Sequence, residues 1–180
     1  MPRVSQEQAR LNRQRVVEVA ASLFRERGLH GVGVADIMAS AGLTHGGFYG
    51  QFANKDALVA EAFDSAVAED RRGAVDTIIA NYLSSGHVQS PGKGCPLAAL
   101  ANDVSREPAD SPVRTRFSHA VEHLASILAD LTPKASRERR RQRSLATLST
   151  LVGAVVLARA VNDEALATDL LQAAQASVTR

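Results

Sequence analysis

Few side chains in this sequence combine the type and the spacing that chemistry needs. Cys95, the sole cysteine, directly precedes Pro96 and is expected at a helix N-terminus, where partial positive charge lowers a thiol pKa. That makes it a candidate effector or redox residue, although free cysteine more commonly serves as a small packed side chain. His119 and His123 stand four apart on one prospective helix face, a spacing that can chelate a metal. Without a clear third ligand they become candidates for the polar lining of an effector cavity, and no metal is expected. No carboxylate pair or Ser–His–Asp grouping can be placed, so the chain does not read as an enzyme. Ser90-Pro-Gly-Lys-Gly-Cys95 lacks the leading glycine and the following hydroxyl of a phosphate loop, and Gly31-Val-Gly33 lacks the third glycine of a dinucleotide site. No cofactor is expected. What remains is Thr44-His-Gly-Gly-Phe-Tyr-Gly-Gln51, with Lys55 just beyond it. Its hydroxyl, imidazole, phenol and amide groups, interleaved with glycine, suit phosphate oxygens and base edges.

Those groups must be held by helices, because apolar spacing supports helix almost everywhere. A first helix is expected from about Gln8 to Arg27, with Val16, Ala20, Leu23 and Phe24 on one face and Gly28 as its stop. Val34 to Ala41 is short. Gly42-Leu43 turns the chain, and Thr44 is a natural N-cap for a third helix to about Gln51. Asn54 caps a fourth, from Lys55 to about Arg71, and a fifth covers Ala74 to Ser84. Ser84 to Gly94 reads as a loop by composition. Pro96 opens a helix to about Arg106, and Pro108 and Pro112 break the chain again. Phe117, Val121, Leu124, Leu128 and Leu131 then recur at spacings of four, three, four and three, a stripe ended by Pro133. Two last helices span about Ser136 to Ala160 and Asp163 to Val178. The expectation is all-α, about nine helices.

Two short helices joined by a glycine turn and braced by a longer one make a helix-turn-helix, whose second helix fits a DNA major groove about 12 Å wide. Here that unit is Val34–Ala41, Gly42-Leu43 and Thr44–Gln51. Phe48 and Phe52 should anchor it. Gly46, Gly47 and Gly50 each cost a helix about 1 kcal/mol relative to Ala, so close backbone approach to a partner is the inferred benefit.

At this point the sequence resembles the TetR (tetracycline-repressor-like) family of transcription regulators. The resemblance lies in Gly28-Leu-His-Gly-Val-Gly-Val-Ala-Asp-Ile37, Ala41-Gly-Leu-Thr-His-Gly-Gly-Phe-Tyr-Gly-Gln-Phe52 and Asn54-Lys-Asp-Ala-Leu58. It is confined to roughly residues 10–65. It implies that Thr44, His45, Gly46 and Gly47 form the start of the DNA-contacting helix, that Tyr49 meets a phosphate, and that Lys55 reaches the DNA backbone. Gly33 departs from the family pattern, which often has a capping threonine there. Gln51, also read as facing the groove, stands where an imidazole or aromatic is common. Gly94-Cys95 is similar to a pair found in family members that sense oxidants or electrophiles.

Charge is uneven. Residues 1–56 hold seven basic and five acidic side chains, residues 57–133 six and ten, and residues 134–180 eight and four. The total of +2 thus conceals two basic ends around an acidic middle, which permits nucleic-acid binding without establishing it. The run Lys134 to Arg143 carries six of the basic residues and reads as a solvated helix start. The longest apolar run, Leu151 to Ala158, is eight residues against the roughly 20 of a spanning helix, so no membrane span is expected. One cysteine and no signal-like N-terminus fit a cytoplasmic protein. Leu145, Leu148, Val152, Val155 and Val156 form a stripe answered by Leu166, Leu170, Leu171 and Ala174, suited to a four-helix interface in a homodimer.

The expected organisation is therefore a helix-turn-helix domain over residues 1–56 and an effector-binding and dimerisation domain over residues 57–180. Such a protein would be a regulator, a repressor released from a palindromic double-stranded operator by a small-molecule or reactive effector. The conformational coupling would run through the helix that starts at Lys55. The alternative is a helical small-molecule binding protein or small enzyme without DNA-binding activity.

Overall fold

The computed structural model describes residues 6–69, 75–129 and 135–178. Among the described residues there are nine α-helices and no strand: α1 (Gln6–Arg27), α2 (Val34–Ser40), α3 (Lys55–Glu69), α4 (Val75–Tyr82), α5 (Ser85–Gln89), α6 (Pro96–Arg106), α7 (Pro112–Ala129), α8 (Arg137–Ala160) and α9 (Glu164–Val178). The expected ends at Arg71, Ala74 and Pro133 lie outside the described residues.

Local chemistry sets the boundaries. Gly28 ends α1 in the left-handed region, at φ +78°, with its N–H on the Phe24 carbonyl at 2.8 Å. The side-chain oxygen of Asn54 accepts from the Ala57 N–H at 2.8 Å and starts α3. Pro96 and Pro112 are the first residues of α6 and α7. Ser136 caps α8 through Arg139, and the Asp163 carboxylate accepts from both Ala165 and Leu166 at the start of α9.

Two expectations are corrected. The stretch Thr44–Gln51 is not an α-helix but a 3-10 turn, His45–Gly47, followed by further turns. Three glycines in eight residues leave too little to offset the entropy of a regular helix, and the tighter turn forms instead. Ser84–Gly94 is not an open loop. It folds as α5 and a 3-10 turn at Pro91–Lys93, because the Ser84 hydroxyl caps the His87 N–H.

One hydrophobic cluster runs from Val16 in α1 to Ala174 in α9. α1 packs on α3, α3 on α7, α7 on α8 and α8 on α9, so a chain of helix pairs links the N-terminal unit to the far end. Among the described residues α8 is long and apolar enough, by length and composition, to cross a membrane, which the eight-residue run had not suggested. Its stripe of Leu148, Leu151, Ala154, Val155 and Ala158 is buried in the structure.

Candidate nucleic-acid interface

The helix-turn-helix unit hangs on α2. Ile37 and Met38 are buried without remainder, and the chain leaves α2 through Ala41, whose N–H bonds the Ile37 carbonyl. Gly42 then takes φ +73°, a conformation only glycine adopts cheaply, and the Leu43 N–H returns to the Met38 carbonyl at 2.9 Å. Thr44 emerges extended and opens the 3-10 turn, with the Gly47 N–H on its carbonyl at 3.0 Å.

Beneath the turn lies an aromatic footing. Phe48 is fully buried and stacks on Phe52, with ring centroids 5.4 Å apart. The Arg13 guanidinium lies 4.4 Å over the Phe52 ring and also holds Glu61 of α3 through a two-pronged ion pair. Those hydrogen bonds hold the Glu61 carboxyl below the usual carboxylate range, against the opposing effect of burial. Above the footing, Thr44, His45, Gly46, Tyr49 and Gly50 are exposed together. Tyr49 is 67% exposed although its ring meets Phe48 and His45 edge to face, so its phenol is presented outward on a fixed ring. Gly46 has open space where a Cβ would stand, whereas one at Gly47 would touch Met38 and Thr44. This arrangement offers a short, glycine-lined edge carrying a hydroxyl, an imidazole and a phenol.

Two expected contacts are placed otherwise. Gln51 turns back on its own turn, its amide nitrogen 3.3 Å from the Gly47 carbonyl and its amide oxygen buried. Lys55 is half-buried, donating to the Leu29 carbonyl at 2.7 Å and lying 5.8 Å from the Phe24 ring centre. Both therefore brace the unit, where the helix reading had Gln51, and the family resemblance Lys55, reaching outward. Gly33 keeps its capping geometry through Asp36, whose carboxylate accepts the Gly33 N–H at 3.2 Å.

The unit is also tied to α6. The Asp103 carboxylate accepts the Leu29 N–H at 2.8 Å, and His30 pairs with Glu107 at 2.9 Å. At the other end of α6, Cys95 is 1% exposed and stands at the N-cap position. Its N–H donates to Nε2 of His87 at 2.9 Å, which fixes the neighbouring Nδ1 as the protonated nitrogen that donates to the Tyr82 carbonyl at 2.6 Å. Arg159 of α8 clamps the His87 and Val88 carbonyls from behind. Burial lowers the His87 pKa. Cys95, His87 and Tyr82 line a cavity of about 420 Å³ with Asn81, Ser84 and Lys93. Sequence reasoning missed His87, since a lone histidine in a polar stretch carries no spacing signal. His119 is exposed and His123 half-buried on α7; neither lines the Cys95 cavity. Among the described residues no group of three metal-ligating side chains forms.

The dimerisation stripe divides. Leu148, Val155 and Ala174 belong to the chain's own core, while Leu145, Val152 and Leu170 are half-buried. Val156 and Leu166 are exposed, as is Leu157, which the stripe had not included.

A long helix bracing a glycine-turned two-element head, followed by a helical bundle, is the architecture of a helix-turn-helix regulator. Residues 16–62 match the family profile described as bacterial regulatory proteins, tetR family. An uncharacterized HTH-type transcriptional regulator of Mycobacterium tuberculosis, Rv0196, is 29% identical over 84% of this chain and 86% of its own length. The HTH-type transcriptional repressor KstR2 of the same species is 36% identical over 42% of this chain and 34% of its own length. A TetR transcriptional regulator from Chloroflexus aurantiacus superposes with a TM-score of 0.73 at 26% identity, covering 96% of this chain and 94% of that one. Residues 16–62 thus place the N-terminal unit in the TetR family of helix-turn-helix transcriptional regulators, a family of DNA-binding proteins and not of enzymes.

Proposed function

We propose that this regulator is a homodimeric repressor of a palindromic operator, released by a small-molecule or reactive effector. The observation that carries it is the exposed edge Thr44–Tyr49 standing on the buried Phe48–Phe52 footing. In this reading residues 1–56 dock on DNA, with Thr44, His45, Gly46 and Gly47 at base edges and Tyr49 on a phosphate. Gln51 and Lys55 act by holding that edge. Residues 57–180 bind effector and partner. Exposed Val156, Leu157 and Leu166 support a second copy on α8 and α9, since clustered large apolar side chains favour burial. Two-fold symmetry would then set two heads about 34–36 Å apart, or a multiple of it, on successive major-groove faces.

Release follows from linkage: an effector that prefers the conformation with badly spaced heads must weaken operator binding by the factor by which operator weakens effector binding. The cavity beside Cys95 opens at one end of α6 and the Asp103–Leu29 bond stands near the other, which makes α6 a direct strut beside the α3 route. The same cavity would admit an electrophile to the thiol. Selection of bound fragments from random DNA, followed by gel shifts across salt, tests the proposal. A palindrome bound with a steep fall in affinity as salt rises is expected. Equal, weak binding to every fragment would overturn it.

A further inference from the structure

A second groove lies between α7 and α8, at the end of the bundle where α7 finishes and α8 begins. Its two walls follow one helical rule. Glu122, Ala125, Ser126 and Ala129 line it from α7; Arg137, Arg140, Arg141 and Ser144 line it from α8, both at spacings i, i+3, i+4 and i+7. The volume is about 260 Å³. Small residues on the α7 wall leave this space open opposite three guanidinium groups.

The charges do not cancel. Glu122 is engaged by Arg141 through two bonds of 2.7 Å each, which spends the one carboxylate lining the groove. Arg137 and Arg140 make no ion pair with any described residue; Arg137 is exposed and Arg140 half-buried along the groove. Two guanidinium groups without a counter-charge, facing one groove, are matched by an oxyanion, which meets the planar fork with two oxygens. The hydroxyls of Ser126 and Ser144 already donate to the His123 and Arg141 carbonyls, so the guanidinium groups must supply the recognition. The positive end of the α8 dipole adds to the same field.

We propose that this groove binds a small molecule bearing a carboxylate or phosphate group, held by Arg140 and Arg137, with the Ala125 and Ala129 methyl groups against its apolar part. The site is separate from the DNA edge and from the Cys95 cavity. It is also distinct from the exposed Val156 and Leu157 near the other end of α8.

Titration calorimetry of the full chain at constant ionic strength, with inorganic phosphate and with hexanoate as separate probes, tests this. Saturable binding of at least one probe is expected, and which one saturates identifies the head group. Arg140→Ala and Arg137→Ala should each weaken it roughly tenfold or more, with Arg140→Lys intermediate and Arg15→Ala, on the distant α1, unchanged. Ser126→Glu keeps the exposed position polar but places a carboxylate in the groove, so it should abolish binding even if Arg140→Ala misfolds. Saturation by neither probe, or wild-type affinity in Ser126→Glu, would overturn the proposal.

Discussion

A methyl group added at Gly94 would stand 2.5 Å from the His87 ring and 2.9 Å from a guanidinium nitrogen of Arg159, while one at Gly46 would meet nothing within 4 Å. Gly94→Ala is therefore expected to destabilise the fold by about 1–3 kcal/mol through overpacking, measured by urea denaturation. Gly46→Ala should leave stability unchanged or raise it by about 0.4–1 kcal/mol, because the unfolded chain loses freedom. It should nonetheless weaken operator binding by about tenfold, the scale of one lost groove contact. His87 carries a pH signature. Burial holds its pKa below the ordinary 6.5, so the unfolded chain takes up a proton that the folded chain refuses. Stability is then complete above pH 6.5 and declines as pH falls below it towards the folded-state value. Denaturation midpoints between pH 8 and 5 should show this slope in the wild type and lose it in His87→Gln. Glu61, held low by Arg13, acts in a separate and more acidic window, as the pH falls below 4.5.

At the scale of elements, caps and struts matter more than propensity. Asn54 starts α3 and Ser136 starts α8, and replacing either by Ala should cost about 1 kcal/mol. Asp103 is of another kind, because its partner belongs to the corner between α1 and α2. Asp103→Ala strands the Leu29 N–H and should cost about 1–3 kcal/mol. Hydrogen exchange locates the loss: amides around Gly28 to Val32 should exchange faster while those of α8 and α9 hold. Uniform acceleration along the chain would show that Asp103 is no strut. The 3-10 turn at His45–Gly47 shows the same priority of context. Its glycines are poor helix formers, yet Phe48 and Phe52 pin the segment from below.

For the whole molecule, burial sorts α8 into two sides that the sequence presents as one stripe. Leu148 faces the chain's own core, so Leu148→Ala should cost about 2–5 kcal/mol of folding stability. Leu157 is 52% exposed, so Leu157→Glu should leave the fold intact. By sedimentation it should shift a dimer towards monomer, and operator affinity should fall with it, since one head binds far less tightly than two. A Leu157→Glu protein that remained dimeric would remove α8 from the proposed interface.

Much of this was legible in advance because its causes are local. The stops and starts at Gly28, Asn54, Pro96 and Ser136 depend on a few neighbouring residues, and the buried Phe48 and Phe52 follow from spacing against the rest of the unit. What the fold alone decided involves partners distant in sequence. Lys55 found the Leu29 carbonyl and Asp103 the Leu29 N–H. His87 met Cys95 and Arg159, and Arg140 was left opposite alanines. Periodicity assigns a side chain to a face of its own helix; only the packing of helices against one another determines which carbonyl, ring or empty groove that face meets.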